Sequence, residues 1–364
     1  MNRKSLLSGL ITTSLMLGSF SAHAANIDSH VEMKSAAKME SKANELIVLS
    51  APISGDAYYE EQADSIFDFH VNYAKKIMGN GDEVKILVDD GAYAKYVKAL
   101  GKEHVEMYPM LDIWMRDFGT SNVENAAMFR YTAAGQGGGK SGQRKADEVQ
   151  EEYAELIDGA GLAFIETDLL NDGGNLVDDY AGNAVISRKF LRDNKLTEDQ
   201  ARQALKKLLG LKHVAFIESD EQGGLEHSDG VVAFVAENTL IINSYSEDPE
   251  YANQLKADLR RGLPNVKIHE IVTPYDASHI YDDKFGSACG LYTNALVTPS
   301  TVYLPQFGIP EDSIALATVQ AITSRKVVPV SSAGICSMGG GVRCMSTQLR
   351  GVNKQAFLDY FARD

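Results

Sequence analysis

The chain has 364 residues, 44% of them hydrophobic and 23% charged, enough for one large globular domain or two ordinary ones. A formal net charge of −15 argues against a nucleic-acid partner and mildly favours a cationic small ligand. The three cysteines, Cys289, Cys336 and Cys344, all lie in the last quarter. An odd count leaves at least one thiol free in an oxidising compartment.

Residues 1–24 read as a secretory signal peptide. Arg3 and Lys4 form a basic start, Leu6 to Phe20 a short apolar run, and Ala22-His23-Ala24 a small-x-small cleavage signal. Export to the periplasm or the exterior is expected, with cleavage after Ala24. The apolar run is too short for a membrane span, and no other segment approaches one. Residues 25–44 form a polar leader, and residues 45–364 a single domain.

Leu46–Leu49 reads as a buried strand. A helix follows over Tyr58–Met78, with Ile66, Phe69, Tyr73 and Ile77 at helical spacing and Gly79-Asn80-Gly81-Asp82 as its stop. Next come a strand at Val84–Val88, a helix at Tyr93–Leu100 and a strand at Val105–Tyr108. Then a unit recurs: a hairpin, a helix and a strand. Asn122–Tyr131 reads as strand, Asp147–Ile157 as helix and Ala163–Ile165 as strand. The second unit pairs Leu176–Val177 with Ala184–Ile186, followed by a helix at Glu198–Leu209 and a strand at Val214–Ile217. The third pairs Val231–Val235 with Thr239–Asn243, followed by Tyr251–Arg261 and Val266–Ile271. The fourth pairs Tyr292–Val297 with Thr301–Leu304, followed by Ile314–Ile322 and Lys326–Val330. Met128, Ile186, Ile241 and Tyr303 mark intervals of 58, 55 and 62 residues, a repeat signature. The N-terminal strand and helix can join the Cys344 segment as a fifth unit, giving an α/β ring of ββαβ repeats. An open α/β sheet is the rival.

The segments preceding the hairpins hold the chemically loaded residues: Trp114-Met115-Arg116-Asp117, Asn171-Asp172-Gly173-Gly174-Asn175, Glu226-His227-Ser228-Asp229 and Gly339-Gly340-Gly341-Val342-Arg343-Cys344. A ring brings them to one axis. Carboxylates around a thiol disfavour its ionisation but suit a cationic substrate, and a guanidinium offers a fork of N–H donors to them. Asp117 and Asp229 would hold such a group against Cys344, whose thiolate attacks the guanidinium carbon. His227 serves as general acid and base, oriented by Asp172. Neither metal nor organic cofactor is required by this chemistry. A competing reading takes His227, Asp229 and His269 or His279 as an iron triad, but it leaves Cys344 unexplained. Ala134-Gly135-Gln136-Gly137-Gly138-Gly139-Lys140-Ser141 fits a relaxed phosphate-loop pattern and reads as a flexible loop, a candidate lid. Cys289 and Cys336 read as structural, with any pairing of Cys336 left open.

Trp114-x-Arg116-Asp117-x-Gly119, Gly173-Gly174-Asn175, His227-x-Asp229 and Gly339-Gly340-Gly341-x-x-Cys344 together resemble the agmatine deiminase and bacterial-type peptidyl-arginine deiminase family. The resemblance covers residues 45–350 and implies a five-bladed α/β propeller with pseudo-fivefold symmetry. It implies Cys344 as nucleophile, His227 as general acid/base and Asp117 and Asp229 as guanidinium ligands. Trp114 would lie along the substrate's aliphatic stem, and Asn175 is a further substrate-binding candidate. The implied reaction is agmatine to N-carbamoylputrescine with release of ammonia. Peptidyl-arginine to citrulline is the alternative, and a non-catalytic guanidinium- or polyamine-binding protein a third reading. The chain departs from the family pattern at Arg343, where a histidine is usual, and at Asp172, where a glutamate is usual.

Overall fold

The computed structural model describes residues 44–220, 224–278, 280–282 and 284–363. The expected signal peptide and most of the polar leader lie outside them.

Among the described residues the strands fall into five separate sheets, in which one connection recurs. Leu176–Asp178 runs antiparallel to Asn183–Ser187, which lies parallel to His213–Ile217 across the helix Glu198–Leu209. The same pattern links Val232–Ala236, Thr239–Asn243 and Lys267–Ile271 across Pro249–Gly262. It links Leu296–Val297, Thr301–Gln306 and Lys326–Ser331 across Glu311–Ile322. Ala127–Arg130 pairs with Ile165–Leu170 across Gly139–Gly159, and a single bridge from Ser121 stands in for the first strand. In the remaining sheet the first and last strands of the described residues meet. Thr347–Leu349 lies antiparallel to Leu46–Ser50, which pairs with Glu83–Val88 across Ala63–Met78. Val105–Met107 adds a fourth strand there.

Local chemistry accounts for these elements. In Ala63–Met78 the buried residues are Ile66, Phe69, His70, Tyr73, Ala74 and Ile77, one face at 3.6-residue period. Glu198–Leu209 starts on a capping box between Thr197 and Gln200 and ends at Gly210 with φ +68°. Pro249–Gly262 starts on an Asp248 cap with proline in its first turn. Central strands such as Thr239–Asn243 are buried along their whole length, as expected of strands covered on both faces.

Each of five apolar clusters draws on two sheets. Leu46 and Val48 pack with Met128 and Tyr153; Ala127 and Phe129 with Ile186 and Phe216. Val185 and Ile217 pack with Phe234 and Ile242; Val235 and Ile241 with Val302 and Leu304. Finally, Tyr303 and Val328 pack with Ile47 and Ile86.

Several sequence expectations need correction. Residues 134–141 are not irregular loop throughout: Ala134–Gln136 is a 3₁₀ turn, and the following helix begins at Gly139 rather than Asp147. Gly137, Gly138 and Gly139, with φ of +87°, +75° and +62°, make the turn between them. The proposed strand Tyr292–Val297 shortens to Leu296–Val297. Helices Lys189–Asn194 and Gly351–Phe361 had not been foreseen.

Candidate active site

The segments preceding the hairpins become short turns. Asp117 sits in the one-turn helix Met115–Phe118. Asp172 and His227 immediately precede the 3₁₀ turns Gly173–Asn175 and Ser228–Gly230, the second containing Asp229. Such turns carry side chains inward while the adjoining strands enter their sheets. Cys344, His227, Asp117 and Trp114 line one cavity of about 550 Å³.

His227 is buried between two carboxylates. Its Nε2 lies 3.1 Å from Asp172 Oδ2, and its Nδ1 lies 3.7 Å from Asp117 Oδ1. The shorter side chain of Asp172 therefore reaches the imidazole. Thr132 fixes Asp172 in turn, donating from its backbone N at 2.8 Å and its Oγ1 at 2.9 Å. Burial opposes charging of His227, but the Asp117 and Asp172 carboxylates outweigh it and push the imidazole up to about 10. Burial also raises the Asp117 carboxyl, to about 7, against the pull of His227. Gly174 donates its N–H to Asp117 Oδ1 at 3.2 Å. A Cβ on Gly174 would stand 2.5 Å from His227 Nδ1 and 2.9 Å from Asp117 Oδ1, so this close approach requires glycine.

Cys344 is the free thiol, because Cys289 and Cys336 are joined in a disulfide. Its Sγ accepts from Asn294 Nδ2 at 3.0 Å and lies 3.9 Å from Asp229 Oδ2. Burial raises the thiol well above its ordinary value, and the charges of Asp229 and Asp117 raise it further. The glycine run before it brings Trp114 close: a Cβ on Gly340 would meet the indole at 2.1 Å.

Asp229, expected as a guanidinium ligand, is already paired with a cation of the chain and does not line the cavity. Arg343 Nη1 donates to Asp229 Oδ2 at 2.7 Å, while Arg343 Nη2 donates to Leu176 O at 2.7 Å. A buried carboxylate needs a cation or several donors, and Arg343, where the resemblance led to an imidazole, supplies the cation. Asn175 is tied up between loops. Its Oδ1 accepts from Ser187 N at 2.8 Å and Ser228 Oγ at 3.1 Å, and its Nδ2 donates to Asn171 Oδ1 at 3.1 Å. The structure does not bring it to the cavity wall. His269 lies in the strand Lys267–Ile271, and His279 lies outside the described residues. Among the described residues no group of three or more His, Cys, Asp or Glu is placed to hold a metal.

Sequence reasoning missed Asn294 and a second acidic wall. Asp112 lines the same cavity and accepts from Tyr59 OH at 2.7 Å and Gln136 Nε2 at 2.7 Å. Asp112 precedes Trp114 by two residues, so proximity to that motif was its only signal.

The disulfide connects the segment leading to Asn294 with the one leading to Cys344, across a sequence separation of 47. The Cys289→Ser/Cys336→Ser double variant should lose about 2–4 kcal/mol of stability. Denaturant unfolding checks this, and an unchanged midpoint would count against it.

A buried thiol and an imidazole between carboxylates meet at one acidic cleft of an α/β scaffold. The family model described as Porphyromonas-type peptidyl-arginine deiminase matches residues 36–349, and the chain belongs to this family. The fold is similar to that of the agmatine deiminase of Enterococcus faecalis, with TM-score 0.70 and 19% identity over 85% of this chain and 93% of that one. It is similar to the agmatine deiminase of C. jejuni, with TM-score 0.67 and 18% identity over 85% and 95% of the two chains. A cysteine-to-serine variant of that C. jejuni enzyme with substrate bound gives TM-score 0.65 and 17% identity, again over 85% and 95%.

Proposed function

We propose that this chain is a cysteine-dependent deiminase of guanidinium compounds, with agmatine as first substrate and N-carbamoylputrescine as product. The observation that carries the reading is one cavity holding both the free Cys344 thiol and His227, itself fixed between Asp117 and Asp172.

In this reading the guanidinium enters against Asp117, with Trp114 along its aliphatic stem. Asp229, held by Arg343 through Oδ2, lies behind the thiol. The incoming cation offsets the carboxylate field and lowers the thiol's pKa, so the Sγ proton leaves to solvent. Sγ then bonds to the guanidinium carbon. The His227 imidazolium protonates one amino group, the C–N bond breaks and ammonia departs, leaving a thiouronium. Neutral His227 takes a proton from water as the water oxygen bonds to the same carbon. The C–S bond breaks as the hydroxyl proton of the adduct passes to the departed ammonia or solvent, releasing a neutral ureido product and restoring the thiolate.

A dicationic substrate suits walls that include Asp56, Asp112 and Asp282. Peptidyl-arginine is the second reading, favoured by the description of the matching family. The reading extends to architecture and location. Five sheets, the pairing of Leu46–Val48 with Thr347–Leu349, and five cores each joining two sheets support a closed five-bladed propeller. The Cys289–Cys336 disulfide supports export to an oxidising compartment.

Ammonia release from agmatine, free arginine and a peptide ending in arginine tests the reading. Agmatine should be turned over with kcat/KM at least about tenfold above the others. Release from none of the three, with tight binding retained, would mean a non-catalytic binding protein.

A further inference from the structure

Two segments far apart in sequence build one part of the cavity wall. Asp282, Lys284 and Phe285 come from the connection between Lys267–Ile271 and Leu296–Val297, while Met338 and Gly339 come from the segment that leads to Cys344. The described residues of that connection contain neither helix nor strand. A connection of this length without regular structure depends on ties to its surroundings. Tyr281 donates its backbone N–H to Ser337 O at 2.9 Å, and Ala288 donates to Cys336 O at 2.9 Å. A Cβ on Gly339 would stand 3.0 Å from Gly286 O and 3.2 Å from Phe285 Cβ, so the two backbones touch there. The covalent tie is Cys289–Cys336.

The bridge stands next to the wall it holds. Cys336 precedes Met338 by two residues, and Cys289 follows Phe285 by four. It closes a sequence separation of 47. A single backbone hydrogen bond contributes less than closure of a loop that long. Access to the two sulfurs is unequal. Cys336 is 3% exposed, whereas Cys289 is half-buried. An external thiolate therefore meets Cys289 first.

We propose that Cys289–Cys336 is a redox switch for the cavity. Oxidised, it holds Asp282, Phe285 and Met338 in one wall around the substrate and keeps Cys344 covered. Reduced, it loosens that wall, weakens substrate binding and leaves the protein in a low-activity form. The change in activity rests on the guanidine reaction proposed above; the loosening of the wall does not. The reductant is a thiol or dithiol. Its thiolate bonds to Cys289 Sγ, the S–S bond breaks, and the electron pair goes to Cys336 Sγ, which takes up a proton. A second thiolate attacks the mixed disulfide, frees Cys289 as a thiol after protonation, and leaves the reductant as its own disulfide. The chain gains two electrons and two protons, and oxidation by a disulfide reverses each step. A reducing compartment thus holds the chain at low activity, and an oxidising one turns it on.

Cys344 supplies a readout that needs no guanidine. It is the free thiol of the oxidised protein and the one cysteine left in Cys289→Ser/Cys336→Ser, so iodoacetamide reports the same group in both. Its side chain is 7% exposed behind the closed wall. Alkylation should be at least about tenfold faster in the double variant, as local opening admits the reagent. KM for agmatine should rise at least about tenfold, with a smaller fall in kcat. In wild type, dithiothreitol should raise KM in the same way and reoxidation restore it, while the double variant responds to neither. Circular dichroism establishes folding at the assay temperature, and Cys289→Ala/Cys336→Ala serves where the serine pair does not fold. Equal alkylation rates and equal KM in oxidised wild type and a folded double variant would overturn the proposal and leave the bridge a stabilising staple. A disulfide that resists dithiothreitol in the folded protein would overturn it as well. Faster alkylation in a protein that releases ammonia from no guanidine would uphold the loosened wall and count against the proposed reaction alone.

Discussion

Cys344→Ser abolishes ammonia release, with kcat reduced at least about 10³-fold, while the far-ultraviolet spectrum and unfolding midpoint stay close to wild type. The nucleophile must present an anion to an amidine-like carbon. A serine hydroxyl is far less acidic than a thiol, and the site raises even the thiol through burial and the charges of Asp229 and Asp117. Whatever help the bound cation gives, it cannot make up the several pKa units separating an alcohol from a thiol. Structure should survive because the two side chains differ by one atom and serine can accept from Asn294. Turnover by a folded Cys344→Ser protein within tenfold of wild type would sink the covalent mechanism.

The second large effect concerns His227. His227→Ala should lower kcat about 10²–10⁴-fold, the usual span for a proton-transferring side chain. The pH profile is more diagnostic. Productive encounter needs Asp117 ionised to attract the guanidinium and His227 protonated to supply the leaving ammonia. With Asp117 raised to about 7 and His227 to about 10, kcat/KM should climb through the first value and decline through the second. Asp172→Asn removes one of the carboxylates that raise His227, so the alkaline limb should move to lower pH; the same charge also raises Asp117, so the acid limb should move down as well. A stationary alkaline limb would leave Asp172 without a role in positioning the proton. The same shift bears on stability. His227 is raised above its unfolded value, so its contribution is complete below about 6.5 and disappears as pH rises through about 10.

The repeating strand–helix–strand plan was legible because its signals are local. Glu198–Leu209 and Thr239–Asn243 occur at the boundaries read from periodicity and apolar runs. Boundaries failed where local signals mislead. The helix from Gly139 opens with glycine, the weakest non-proline helix former, so its start was hidden. Ile165–Leu170 interleaves Glu166, Thr167 and Asp168 with apolar residues, which masked most of that strand. Within the site, Asp117, Asp172, His227, Asp229 and Cys344 were visible because glycines flank them in the segments before hairpins. Asn294 occupies the corresponding segment of the fourth unit, but a tyrosine and a threonine precede it. The ion pair of Arg343 with Asp229 joins residues 114 positions apart, and pairing over that distance leaves no periodic trace.

The pairing of Leu46–Val48 with Thr347–Leu349 also governs the order in which the molecule comes together. Gln348 and Glu45 bond across 303 residues of sequence, so the last strand can dock only when both ends of the chain are in hand. Cys344 lies just before that strand, and its surroundings are assembled by the same step. A chain still being synthesised carries Asp117, Asp172 and His227 long before it carries a thiol to serve them. Completion of the fold and arming of the nucleophile are then one event, and denaturant should erase the distinctive alkylation rate of Cys344 at the same midpoint at which the sheets unfold.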